Sequence, residues 1–253
     1  MKPVVVRNVA IGEGIPKICV PIVGKTINEI LEQAKHICEI GADVVEWRVD
    51  WFEEVGNYES VENAAKQLRN VLGETPILFT FRTAKEGGER EIEPADYVAL
   101  NQNIAKSGYV DIVDVEAFTG DAYVEKVVKT AHECGVKVIA SNHDFQKTPP
   151  KQELISRMRK MQELDADIPK IAVMPQSKED LLTLLAATEE MTRSYADRPI
   201  ITMSMAGTGV LSRMCGEVFG SALTFGAAGK ASAPGQIDVE ELRTVLGVLH
   251  KSL

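Results

Sequence analysis

No apolar run in this 253-residue sequence is long enough to span a bilayer, and no apolar h-region opens it. A membrane-anchored or exported chain is therefore not expected. Positive charge is also short, with 28 Lys and Arg against 37 Asp and Glu and a formal net charge of -9. That balance excludes the long-range positive field that collects nucleic acid or anionic lipid. An anionic small molecule would need locally placed arginines. Cysteine is scarce: Cys19, Cys38, Cys134 and Cys215 are scattered, with no C-x-x-C pair. Such spacing gives neither a disulfide framework nor a zinc ligand set, and it fits reduced thiols in a cytoplasm. The H-x-H and H-E-x-x-H patterns are missing as well, so no metal is expected. Phe225-Gly226-Ala227-Ala228-Gly229-Lys230-Ala231 misses the P-loop pattern, and Val23-Gly24-Lys25-Thr26 misses the dinucleotide-binding turn.

What is present is a repeat. After Val4–Val6 and Val9–Ile11, which predict an N-terminal hairpin, short β-branched runs alternate with helical segments. The predicted strands are 17–22, 43–49, 77–82, 110–115, 137–142, 170–174, 200–205 and 222–225. Helices are expected over 28–40, 61–72, 95–107, 123–134, 152–164, 178–195, 210–219 and 239–249. Gly41, Gly73, Gly108 and Gly135 fall just past helix ends, where a left-handed cap favours glycine. Eight βα units without a linker or low-complexity tract predict a (β/α)₈ barrel occupying residues 1–253 as one domain.

Active sites in such barrels lie at the C-terminal ends of the strands, and residues two apart on a strand share a face. The second strand places Glu46, Arg48 and Asp50 on one face near its end. Arg82 ends the third strand and is followed by Lys85-Glu86-Gly87-Gly88; Asp114 and Glu116 end the fourth, and Ser141-Asn142-His143-Asp144 the fifth. Any one of these pairs, Arg48 with Glu46 or Arg82 with Asp114, has an ordinary account as an ion pair closing the barrel mouth. Charges at the same end of four neighbouring strands are harder to explain so, because each buried ion costs several kcal/mol unless well paired.

Two residues draw the chemistry together. Lys170 sits inside the apolar run Ile168-Pro169-Lys170-Ile171-Ala172-Val173-Met174-Pro175. Taken alone, it reads as a lysine paired with a carboxylate or snorkelling to water. The alternative is an amine kept partly neutral, and so nucleophilic, by Ile171, Val173 and Met203. His143 is the one histidine at a strand end, a strand before Lys170. His36, His132 and His250 fall in predicted helices. A general acid/base beside a lysine nucleophile is the reading that uses both.

These segments resemble type I 3-dehydroquinate dehydratase, the Schiff-base-forming enzyme of the shikimate pathway. The matching stretches are Glu46-Trp47-Arg48-Val49-Asp50, Phe79-Thr80-Phe81-Arg82 with Lys85–Gly88, Ser141–Phe145, Ile168–Ala172, Met203-Ser204-Met205 and Ala231–Gln236. The resemblance runs through nearly the whole chain. It implies a barrel with the hairpin closing its bottom, no cofactor, a homodimer and 3-dehydroquinate as the small-molecule partner. It also implies roles. Lys170 forms an imine with the ketone, His143 removes the C2 proton and protonates the departing C1 hydroxyl, and Glu86 orients His143. Arg213 holds the carboxylate, Glu46, Arg48, Arg82, Ser232 and Gln236 form the polar frame, and Met203, Met205 and Phe225 form the apolar wall. The glycine-rich segment 226–236 is expected to act as a lid. Two positions depart from the family: Pro21, where some members have a substrate-contacting serine, and Gln146, where relatives often have a second histidine. A Schiff-base aldolase using the 226–230 loop for phosphate, and a non-catalytic barrel that binds a polyhydroxy acid, remain as competing readings.

Overall fold

The computed structural model describes residues 2–229 and 233–253. Strands β1 (Val4–Val6) and β2 (Val9–Ile11) form the antiparallel hairpin, paired from Val4 opposite Ile11 to Val6 opposite Val9. The next eight strands, β3 (Lys17–Ile22), β4 (Val44–Arg48), β5 (Ile77–Thr80), β6 (Ile112–Glu116), β7 (Lys137–Asp144), β8 (Ile168–Val173), β9 (Ile201–Ser204) and β10 (Leu223–Ala227), run parallel. Each pairs with its sequence neighbour from β3 to β9, and β10 returns to β3. A single bridge, Ile200 opposite Ser221, closes the remaining seam between β9 and β10. The two-residue strand β11 (Ile237–Asp238) extends the far end of β10.

Helices α1 (Ile27–Ile40), α2 (Tyr58–Leu72), α3 (Pro94–Lys106), α4 (Asp121–Glu133), α5 (Lys151–Glu163) and α6 (Lys178–Ser194) follow β3 to β8 in turn. The expected seventh helix is instead two single turns, α7 (Leu211–Met214) and α8 (Gly216–Phe219). The two turns meet at Cys215, and the second packs so closely on the start of β10 that a Cβ at Gly216 would stand 2.6 Å from the Ser221 carbonyl oxygen. Helix α9 (Val239–His250) completes the ring, its N-terminal amides capped by the Asp238 carboxylate.

Period-two alternation sorts the strand side chains into two cores. Ile18, Val20, Val45, Trp47, Ile77, Phe79, Val113, Val138, Ile171 and Val173 face the helices. Cys19, Val44, Leu78, Ile112, Ile139, Ile168, Ile201 and Leu223, one from each barrel strand, pack inward near the strand starts. Val4, Val6 and Ile11 of the hairpin join this inner cluster and close the bottom. Two residues further along each strand, the inward positions become Glu46, Thr80, Asp114, Ser141 and Lys170, all buried. The barrel is therefore apolar at its base and charged toward its mouth.

Two prolines sit inside this sheet at tolerable places. Pairing of β3 with β10 ends at Cys19, two residues before Pro21. Pairing of β8 with β9 begins at Lys170, one residue after Pro169. Neither proline interrupts a ladder that needs its missing N–H. Strand β7 runs two residues beyond its predicted end because His143 and Asp144 pair with Ala172 and Val173 of β8. His143 is thus held on a strand, not on a loop.

At the bottom, three aspartates repeat one device. Asp43, Asp111 and Asp167, each one residue before a strand, accept the backbone N–H of Ile18, Ile77 and Val138 on the preceding strand, at 2.7, 2.8 and 2.8 Å. Asp111 also accepts Arg69 and, at 2.6 Å, Nε of Arg7 in the hairpin turn. Asp111→Ala leaves the Ile77 amide without its side-chain acceptor and takes from Arg7 and Arg69 one carboxylate partner that they share. We expect it to lower the unfolding free energy by about 2–4 kcal/mol. Urea unfolding measures this, and a change under about 0.5 kcal/mol would refute the clamp.

Candidate active site

The mouth of the barrel holds an open pocket. Strand β4 contributes Glu46 and Arg48 to its wall, and Arg82 and Glu86 come from the end of β5 and the turn after it. His143 and Lys170 come from the adjacent strands β7 and β8. Met203 and Met205 come from β9 and the residue after it, Arg213 from α7 and Phe225 from β10. Ala233 and Gln236 of the segment before β11 complete the polar rim. Every sequence-predicted site residue therefore lines one cavity except Ser232, which lies outside the described residues.

Lys170 is almost wholly buried. Its Nζ donates to Asp114 Oδ2 at 3.2 Å, lies 3.8 Å from Glu46 Oε1, and stands 4.7 Å over the centre of the Phe225 ring. Thr80 Oγ1 donates to the same Glu46 oxygen at 2.9 Å, which fixes that carboxylate. Burial pushes the Asp114 carboxyl up, yet Arg82 and Lys170 outweigh burial and hold it below its usual range.

Arg82 organises the strands between. Its Nη2 donates to Asp114 Oδ1 at 2.8 Å, and its Nη1 donates to Glu116 Oε1 and Ser141 Oγ, both at 3.0 Å. Arg48 is paired differently from the sequence expectation. Its Nε and Nη2 make a two-pronged contact with Asp50 at 2.7 Å each, in place of Glu46. Asp50 also accepts the Glu89 backbone N–H at 3.1 Å and so ties the turn after β5 to Arg48.

Glu86 and His143 form a hydrogen-bonded pair on the pocket wall. Glu86 Oε2 accepts the His143 backbone N–H at 2.9 Å and lies 3.0 Å from its Nδ1, while Oε1 accepts Asn142 Nδ2 at 3.0 Å. When Glu86 is ionised it can only accept, which places the proton on Nδ1 and leaves the Nε2 lone pair for chemistry. Burial raises the Glu86 carboxyl to about 7, with Glu116 adding to the rise and Arg82, Asn142 and the His143 N–H opposing it. Burial, then Arg82, Lys170 and Arg48, hold the His143 imidazole well below its ordinary value. His143 is accordingly an uncharged base at neutral pH.

Arg213 differs from the other two arginines. Its Nη2 donates to the Pro234 carbonyl at 3.0 Å and its Nη1 approaches Met203 Sδ at 3.8 Å. Its buried Nε has no partner, and no ion pair joins Arg213 to any carboxylate among the described residues. Burial pulls the guanidinium down to about 10, which leaves it charged at neutral pH. It is an unneutralised cation in a pocket where Arg48 and Arg82 are already satisfied.

The remaining histidines are structural or exposed: His132 contacts Asp167 at 2.9 Å, His250 contacts Glu217 at 2.7 Å, and His36 is exposed. Gly87 and Phe145, absent from the predicted set, also line the pocket. They belong together, since a Cβ at Gly87 would meet the Phe145 ring at 2.3 Å. Of segment 226–236, Gly226 and Ala227 belong to β10, and Pro234-Gly235 is docked on Ala206 and Arg213.

Comparison with known proteins bears on the family of the chain. The family model for type I 3-dehydroquinase matches residues 18–253. A 3-dehydroquinate dehydratase of Listeria welshimeri is 59% identical over 251 residues, covering 99% of each chain. One from Clostridioides difficile is 56% identical over 252 residues, covering 100% of this chain and 99% of its own. The crystal structure of the type I enzyme from Clostridium difficile with covalently modified comenic acid has a TM-score of 0.98 at 56% identity, covering 100% of both chains. The Geobacillus kaustophilus 3-dehydroquinate dehydratase has a TM-score of 0.96 at 42% identity, covering 99% and 97%. With the match extending from the first barrel strand to the last residue, the chain belongs to the type I 3-dehydroquinase family.

Proposed function

We propose that this chain converts 3-dehydroquinate to 3-dehydroshikimate and water through an imine on Lys170, with His143 as base and then acid. The observation that carries the proposal is a buried lysine amine and a neutral imidazole on adjacent strands of a pocket with one unneutralised arginine. Lys170 Nζ adds to the ketone carbon, and loss of water leaves an iminium. The iminium draws electrons from C2, so that the C2 proton becomes acidic enough for an imidazole to take. His143 Nε2 removes it and an enamine forms. As the enamine electrons return, the C1–O bond breaks and the same imidazole hands its proton to the leaving hydroxyl. Water then hydrolyses the imine and restores the amine. The reaction is a carbon–oxygen lyase step in which each proton taken is returned.

Arg213 accounts for the anionic end of the substrate. A carboxylate there would meet a planar, charged fork with an unused N–H. Glu46, Arg48, Arg82, Gln236 and Ser232 bind hydroxyls in this proposal, and Met203, Met205 and Phe225 form the apolar wall. A homodimer in the cytoplasm belongs to the same proposal and rests on the family resemblance. No helix among the described residues is long and apolar enough to cross a membrane, and all four cysteines are free. Sedimentation velocity would give twice the mass of one chain, and a monomer at micromolar concentration would refute the dimer.

Borohydride added with 3-dehydroquinate should leave a mass adduct on the Lys170 peptide; an unmodified peptide would sink the mechanism. His143→Ala should keep the adduct while kcat falls by about 10²- to 10⁴-fold. The pH profile follows from Glu86. Its carboxyl titrates near 7, and below that it no longer accepts the Nδ1 proton as an ion, so kcat/KM should fall as the pH drops through this region. In Glu86→Gln that limb should vanish. The lowered rate should stay level to below the ordinary imidazole range, since His143 remains uncharged there. A limb unchanged in Glu86→Gln would reject the assignment.

A further inference from the structure

Behind Glu86, on the side away from the pocket, a second shell of polar contacts leads to the outer helices. Asn142 faces outward on β7, toward α5, and its carboxamide is buried. Its Nδ2 donates to Glu86 Oε1 at 3.0 Å. Its Oδ1 accepts Arg157 Nη1 of α5 at 2.7 Å. Arg157 is held in turn by Glu153 one helical turn earlier and lies 5.7 Å over the ring of Phe118.

A carboxamide can present either end, and the two ends have opposite consequences for Glu86. With the NH₂ toward Glu86, the carboxylate gains a donor. With the oxygen toward it, two acceptors face each other, and the contact is relieved only if Glu86 carries a proton. Arginine has five donors and no acceptor, so a guanidinium at 2.7 Å admits only the amide oxygen. We propose that Arg157 is a positioning residue for the base: by fixing the Asn142 carboxamide with its NH₂ toward Glu86, it keeps Glu86 ionised to orient His143. Arg157 touches neither the pocket nor the reacting atoms. It acts through two intervening side chains.

The proposal rests on the assignment of His143 as base. Glu86 faces Arg82 at 3.7 Å, Glu116 across from it, and the His143 ring; His143 in turn faces Arg82, Lys170 and Arg48. None of these changes when Arg157 is altered. Loss of the oriented donor is therefore the change that Glu86 would sense.

Arg157→Met removes the donor but keeps an apolar stem over Phe118. We expect kcat to fall about tenfold with KM within about twofold. The acid limb of the rate should move upward by about one pH unit, since a carboxylate that loses a hydrogen-bond donor is protonated more readily. Arg157→Lys, which can still donate to Asn142 Oδ1, should recover most of the rate and return the limb. Glu153→Gln should leave both near wild type. A merely structural Arg157 would lower the melting temperature and leave the limb where it was. That result, or an unshifted limb with full kcat, overturns the proposal. Should Arg157→Met not fold, Asn142→Ser, which gives the amide up altogether, must shift the limb in the same direction. Borohydride trapping separates the two levels: wild type and Arg157→Met should both give the Lys170 adduct. A wild type without it would instead remove the mechanism on which this inference stands.

Discussion

Everything at the mouth of this barrel depends on one guanidinium. Arg82 is buried, and from just past the end of β5 it spans to the carboxylates of β6 and the hydroxyl of β7. Asp114, which it holds ionised, is the acceptor that Lys170 meets. Glu116, its other partner, closes the turn after β5 by accepting the backbone N–H and hydroxyl of Thr83. That turn delivers Glu86. The positions of Lys170 and of the Glu86–His143 pair therefore trace back to the same buried cation. A lysine at 82 would offer one point charge where three acceptors on two strands need a planar fork.

The same bookkeeping of charge separates framework from recognition. A buried cation that already has carboxylate partners gains little from an added anion, since its desolvation is offset. Arg48 and Arg82 are of that kind. Arg213 has no carboxylate partner among the described residues, and under the proposed function the substrate carboxylate takes that place. The acidic composition of the chain and an anionic substrate are thereby compatible: the overall charge is negative, but the local field at one place in the pocket is not.

Much of this was legible in the sequence because period-two alternation converts spacing directly into facing. Once the strands were located, Glu46 with Arg48 and Asp114 with Glu116 had to point inward, and His143 and Lys170 had to be neighbours. Choice of partner was less legible. Arg48 is equally spaced from Glu46 and Asp50, and Asp50 prevails because a short 3₁₀ turn over Val49–Trp51 follows β4 and brings its carboxylate round to the guanidinium. The break at Cys215 and the close packing of Gly216 on Ser221 involve a contact with the next strand that a local pattern does not reveal. Arg157 gave no signal at all. With Glu153 four residues before it, it has the spacing of an ordinary exposed helix pair, and only the packing of α5 against β7 shows what its other nitrogen touches.

The aspartates at the strand starts bear on how such a chain assembles. Each ties a strand to the one before it, across separations of 25, 34 and 29 residues. Successive βαβ units can thus be secured locally as they leave the ribosome, each at a modest loop-closure entropy. The joining of β10 to β3 is of another order, because it brings together residues near the two ends of the sequence. That closing contact carries the largest loop-closure entropy of the sheet, whereas Arg82, His143 and Lys170 stand on or next to strands that the local units already join.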